Sequence, residues 1–147
     1  MSAVRAGKTI SLTVGDVMSR EVHTLGRNDQ LSIADDLIQQ QRIRHLPVLD
    51  EGGELVGILS QRDLFRGALA KALGYGSSQQ EKMLAMLVVK EVMTTEVLTA
   101  GPDTPLSEAA AVMQKNKIGS LPVVQGGKLV GIVTEGDFVA LAAKGDG

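Results

Sequence analysis

The chain has 147 residues, 44% of them hydrophobic, which is enough for a packed core and too apolar for a disordered chain. A net charge of −2 offers no bulk attraction to nucleic acid or to an anionic membrane. With no cysteine and only His23 and His45 as histidines, the composition excludes disulfide frameworks, thiolate chemistry and His-rich metal centres.

Along the chain, the opening MSAVRAGKTI lacks the apolar core of a signal peptide. No apolar run approaches the ~20 residues of a membrane span, so a soluble, cytoplasmic protein is expected. Residues 1–13 form an N-terminal segment in which Thr9–Thr13 could add a short strand. Glu21–Leu25 reads as a short strand. Leu31, Ala34, Leu37, Ile38 and Gln41 then recur at helical spacing on one stripe. His45–Leu49 and Glu54–Ser60 are aliphatic strands joined across Asp50–Gly53, a strong hairpin signal. Leu64, Phe65, Ala68, Leu69 and Ala72 make a second helical stripe, with Gly74 as its C-cap.

Gly74–Gln80 is rich in Gly, Ser and Gln and reads as a linker, after which Lys82–Val89 could extend a helix, with Met83 and Met86 as packing residues. Leu106, Ala109, Ala110 and Met113 give another helical stripe. Ser120–Val124 and Lys128–Thr134 are strands around Gly126-Gly127, and Phe138, Val139, Leu141 and Ala142 start a last helix. Asp29 and Thr104 are expected to cap the helices that follow them, with Pro105 at a first helical position. Gly145–Gly147 is expected to fray.

The second half repeats the first. LPVLDEGGELVGILSQRD at Leu46–Asp63 returns as LPVVQGGKLVGIVTEGD at Leu121–Asp137. Val17-Met18 and Ile43 return 75 positions later as Val92-Met93 and Ile118, and past the hairpin the displacement falls to 74. The lost residue lies in the turn, where a loop absorbs it. Matched halves of this kind pack together and build paired clefts.

One chemical pattern occurs in both copies. Gly57-Ile58-Leu59-Ser60-Gln61-Arg62-Asp63 and Gly131-Ile132-Val133-Thr134-Glu135-Gly136-Asp137 each run from a strand end into a helix start. Free N–H groups at a helix start suit a phosphate. The hydroxyl can donate to it, and an Asp one turn on can accept from two ribose hydroxyls. The same Ser/Thr-x-x-Asp spacing is also that of a capping box, which needs no ligand. The two roles are compatible, and both stand here. Gly57 and Gly131 are expected to permit close backbone approach. Pro47 and Pro122 sit early in strands, where a missing donor is tolerated at an edge. His45 is open to either a structural or a phosphate-binding role, and Arg42 and Arg44 are equally readable as solvated charges.

These duplicated Val-Met, Leu-Pro-Val, Gly-Gly-x-Leu-Val-Gly-Ile and [ST]-x-x-D signatures resemble a tandem pair of CBS (cystathionine β-synthase) domains, a Bateman module, from about Val14 to Ala143. The resemblance implies an α+β chain (the α/β-type CBS fold) of two pseudo-symmetric β-α-β-β-α repeats packed through their sheets. Domain 1 is expected over residues 14–73, a linker over 74–88 and domain 2 over 89–144. The resemblance further implies adenosine-nucleotide sites in the inter-repeat clefts. Ser60 and Thr134 would meet phosphate, Asp63 and Asp137 ribose, and Arg44-His45 and Gly119-Ser120 would line the clefts. Each cleft would borrow a helix start from the opposite copy: Thr104 and Ala109 for the first, Asp29 and Ala34 for the second.

On this assignment the first cleft gathers Arg44, His45 and Arg62 and is expected to bind phosphate more tightly. The second, with Glu135 and Asp29, would bind more weakly or take a less anionic adenosine compound. The chain is therefore expected to be a stand-alone regulatory module and no enzyme: an energy or metabolite sensor with AMP, ADP or ATP as ligand and S-adenosylmethionine or NAD as alternatives. No catalytic cofactor or metal is expected. A homodimer acting on an effector protein is expected, with no membrane or nucleic-acid partner. The rival is a structural, oligomerising protein with empty clefts.

Overall fold

The structure is a computed structural model that describes residues 12–65 and 86–144. It divides into two compact units that cut across the sequence repeats. The copy-one unit is Val22–Val97, whereas the copy-two unit joins the segment up to Glu21 to everything from Leu98 onward. Each unit is thus built on one repeat and completed by the Val-Met segment that opens the other.

In the copy-one unit, β1 (Leu25–Gly26) pairs in parallel with β2 (His45–Leu49), which pairs antiparallel with β3 (Leu55–Ser60). The strand expected over Glu21–Leu25 is therefore displaced to its end. α2 (Leu31–Gln41) buries Leu31, Ala34 and Ile38 of the stripe read from the sequence, with Leu37 half-buried and Gln41 exposed. These close a core with Leu46, Val48, Leu59, Leu64, Leu87 and Val89. Helical backbone resumes at residues 61–65 (α3). Of its expected stripe, Leu64 is buried and Phe65 is exposed; the remainder, like the linker and Met83, lies outside the described residues. Of the helix expected over Lys82–Val89, Met86 is helical and the chain has left the helix by Leu87, entering a 3₁₀ turn at Val89–Glu91; residues 82–85 lie outside the described residues. Met86 is 73% exposed and is no packing residue.

The copy-two unit repeats the plan. α1 (Val14–Val17) leads into α4 (Leu106–Asn116), the hairpin of β4 (Ser120–Gln125) and β5 (Lys128–Thr134), and α5 (Glu135–Lys144). Its core holds Val14, Met18, Ala100, Leu106, Ala109, Met113, Leu121, Val123 and Val133. Of the segment expected as a strand at Thr9–Thr13, the described part makes one bridge, from Thr13 to Pro105. The fraying expected at residues 145–147 lies outside the described residues.

The two hairpins carry a register shift at matching places, Val48/Leu49 and Val123/Val124. They differ only in the turn. Gly126 and Gly127 have φ of 58° and 81°, the positive pair a two-residue turn needs, whereas copy one carries its extra residue between Leu49 and Leu55. Pro47 lies in the middle strand of its sheet, not at an edge. It is tolerated because β1 reaches only Val48 and Leu49.

Two helix-start expectations are corrected. Gln30 and Pro105, not Asp29 and Thr104, occupy the N-cap positions, so Pro105 precedes the first helical residue. Asp29 Oδ2 instead accepts from the Gly26 N–H at 2.7 Å, and Thr104 Oγ1 from the Gly101 N–H at 2.9 Å. The helices' leading donors are satisfied from the exchanged segments: Leu31 N–H reaches the Leu87 carbonyl and Leu106 N–H the Leu12 carbonyl, both at 2.9 Å.

Candidate functional site

The hydroxyl–Asp pattern lies where β3 turns into α3 and β5 into α5. Across the hairpins, His45 is directly opposite Ser60 and Ser120 directly opposite Thr134. Residues paired in this way share a sheet face. The ladders continue one step further, because Gln61 N–H donates to the Arg44 carbonyl at 2.8 Å and Glu135 N–H to the Gly119 carbonyl at 3.0 Å. Arg44-His45 and Gly119-Ser120 are thereby brought beside the hydroxyls, as the sequence reading grouped them.

The capping box is complete in the copy-one unit and half-made in the copy-two unit. Ser60 N–H donates to Asp63 Oδ2 at 3.1 Å, and Asp63 N–H donates back to Ser60 Oγ at 3.0 Å. In the copy-two unit Thr134 N–H donates to Asp137 Oδ2 at 2.8 Å, and Thr134 Oγ1 donates to the same oxygen at 3.4 Å. All four side chains are only half-buried. In both aspartates Oδ1 has no hydrogen bond among the described residues.

A residue missed in the sequence sits at the copy-one site. Thr94 pairs with Ile58 through two backbone hydrogen bonds of 3.0 and 2.9 Å, and its Oγ1 donates to Asp63 Oδ2 at 3.4 Å. Ser19 holds Ile132 in the same way, but its hydroxyl goes to the Glu21 carbonyl. The available signal was a hydroxyl residue directly after Val-Met in both copies. The close approach expected at the glycines is made by these exchanged segments. A Cβ on Gly57 would lie 3.0 Å from the Thr94 carbonyl, and one on Gly131 2.8 Å from that of Ser19.

The helix-start residues assigned to the clefts are placed as follows. Asp29 and Thr104 are half-buried and hold the turns before α2 and α4. Ala34 and Ala109 are 0% and 1% exposed and pack in the two cores, so their methyl groups present no surface to a ligand. Arg44 and Arg62 are exposed. No cluster of His, Asp or Glu among the described residues could hold a metal ion. No helix among them is long and apolar enough to cross a membrane.

The CBS domain family model matches residues 14–70 and 89–144. The chain is 34% identical over 135 residues to homoserine O-acetyltransferase of Methanohalophilus mahii, covering 91% of this chain and 25% of that protein. It spans about a quarter of the length of that relative and of its Methanococcoides burtonii counterpart. Two solved structures are similar over most of both chains. One is the CBS domain pair of protein MJ0100 in complex with 5′-methylthioadenosine and S-adenosyl-L-methionine (32% identity, 92% of this chain and 98% of that one, TM-score 0.75). The other is CBSX2 in complex with AMP (32% identity, 90% and 97%, TM-score 0.73).

Proposed function

The chain belongs to the CBS domain family, with two copies of the domain, and we propose that it is a regulatory module binding an adenosine compound at its two hydroxyl–Asp sites. The observation that carries this reading is the repeated strand-to-helix junction. In each copy a half-buried hydroxyl and an Asp are held one turn apart, and the Asp keeps one carboxylate oxygen open. Similar chains have been solved with AMP and with 5′-methylthioadenosine and S-adenosyl-L-methionine, which supports the ligand class.

Ribose hydroxyls would donate to the open oxygens of Asp63 and Asp137. Phosphate would be met at the copy-one site by Ser60, Arg44, His45 and Arg62. The family resemblance assigns Thr104 and Asp29 to the ligand as well. Binding regulates only if affinity differs between two states of the protein. Sensing of energy state, a cytoplasmic location, a homodimer and an effector protein belong to the same proposal. It contains no catalytic step, and the acetyltransferase activity of a fourfold longer relative is not carried over.

Thermal shift with AMP, ADP, ATP, S-adenosylmethionine and NAD tests the reading. Stabilisation that grows with ligand concentration is expected; a flat response to all five favours the structural rival. Calorimetry then ranks the sites. Asp63→Ala is expected to cost more AMP affinity than Asp137→Ala, and the reverse order would reject the ranking.

A further inference from the structure

Ser120 is the buried polar residue of the described core, 6% exposed. Its hydroxyl has no hydrogen-bond partner among the described residues. A hydroxyl removed from water and left unpaired costs stability unless something else pairs with it. Leu121, Val123 and Val133 point into the core of the copy-two unit. Strand alternation therefore puts Ser120 and its cross-strand neighbour Thr134 on the opposite face, beside Asp137.

The two sites also differ in what they offer a phosphate. Ser60 Oγ accepts from the Asp63 N–H, so its own proton is available to a ligand oxygen. Thr134 Oγ1 instead lies 3.4 Å from Asp137 Oδ2, a long contact that draws its proton toward the carboxylate. Arg44 and Arg62 flank Ser60, whereas the matching residues around Thr134 are Gly119 and Gly136, with exposed Glu135 beside them. A phosphate at the copy-two site would meet two carboxylates and no cation from these positions.

Resting on the function proposed above, we infer that the copy-two site takes an adenosine whose 5′ carbon carries no phosphate, and that the Ser120 hydroxyl hydrogen-bonds this ligand. Ser120 is then the specificity residue of that site. A hydroxyl can donate and accept, which suits the neutral donors and acceptors of a nucleoside.

The test uses the full chain, with AMP and 5′-methylthioadenosine as probes in titration calorimetry. Asp63→Ala isolates the copy-two site, where 5′-methylthioadenosine is expected to bind at least about tenfold more tightly than AMP. Ser120→Ala is expected to weaken that binding by about fivefold to tenfold. In the ligand-free protein the same change is expected to raise Tm by about 3 °C, because it removes an unpaired buried hydroxyl. A purely structural residue would not move affinity and stability in opposite directions. Three results overturn the inference while leaving adenosine binding intact: AMP binding as tightly as 5′-methylthioadenosine to Asp63→Ala, loss of all binding in that variant, or an unchanged affinity in Ser120→Ala. A wild-type chain that binds neither these probes nor the thermal-shift panel overturns the underlying function as well.

Discussion

Gly131→Ala should be the more damaging of two formally identical substitutions. A Cβ at Gly131 would stand 2.6 Å from Met18 Sδ, 3.0 Å from its Cγ and 2.8 Å from the Ser19 carbonyl oxygen. At Gly57 the corresponding distances are 2.5 Å, 3.1 Å and 3.0 Å, to Met93 and the Thr94 carbonyl. The thioether ends are flexible and can swing aside. The carbonyls cannot, because Ser19 and Thr94 are tied to Ile132 and Ile58 by paired backbone hydrogen bonds. Overpacking of this kind costs about 1–3 kcal/mol, which places Gly57→Ala near the lower end and Gly131→Ala near the upper. For a urea slope of roughly 2 kcal/mol/M, Gly131→Ala lowers the midpoint by about 1 M. Met18→Ala costs stability by itself because Met18 is buried in the core, so relief of Gly131→Ala is read as a coupling energy, which should be only part of the overpacking cost because the Ser19 contact remains. The coupling between Met93→Ala and Gly57→Ala should account for more of that pair's overpacking, and double-mutant cycles read both terms. A Gly131→Ala protein within about 0.5 kcal/mol of wild type, or a costlier Gly57→Ala, would refute the backbone clash as the cause.

Three further outcomes follow from local geometry. Arg42 and Lys117 end α2 and α4 with φ of 54°, so Arg42→Gly and Lys117→Gly should each raise stability by about 0.5–1 kcal/mol in urea titrations. Ser60→Ala should cost about 1 kcal/mol and Thr134→Ala less, because only Ser60 accepts the N–H of its Asp. Asp50 is held below its ordinary value chiefly by the Glu54 N–H, and Glu51 by a backbone hydrogen bond and Arg27; their stabilisation is complete above the ordinary values of 3.8 and 4.5 and is lost as pH falls through the depressed folded values. Urea midpoints should therefore fall as pH drops below the ordinary values of 4.5 and 3.8, and less steeply in Asp50→Asn.

Much of each unit was legible because period and turn chemistry agree. On β3 the buried Leu59 lies between the less buried Ile58 and Ser60, and Asp50–Gly53 and Gly126-Gly127 fix the hairpins. The partition was not legible. A displacement of 75 residues says that Met18 and Met93 are equivalent, but not which repeat each one completes. That choice is made by fit of Met18 over Gly131 and Met93 over Gly57, a long-range contact without a local sequence signal. The left-handed helix ends at Arg42 and Lys117 were hidden for a similar reason: the usual marker is glycine, and tertiary structure imposes the conformation on long basic residues instead. Asp29 and Thr104 were misplaced by one residue because their side chains satisfy the preceding turn rather than the helix.

The hydroxyl–Asp bonds at the two helix starts do not compete with a ligand for the same atoms. An ionised carboxylate has about four lone-pair sites on two oxygens. Within the chain Asp63 uses Oδ2 alone, for the Ser60 N–H and the Thr94 hydroxyl, and Asp137 uses Oδ2 alone, for Thr134. Those bonds fix the carboxylate plane before a ligand arrives. A diol can then bind Oδ1 without first breaking the helix cap or ordering a free side chain, a cost that binding otherwise bears. The bond that stabilises the helix start is thus also the one that aims the carboxylate. The structural reading and the binding reading describe one arrangement, and the two copies differ at the hydroxyls: Ser60 accepts the N–H of its Asp, whereas Thr134 leans toward the carboxylate of its own.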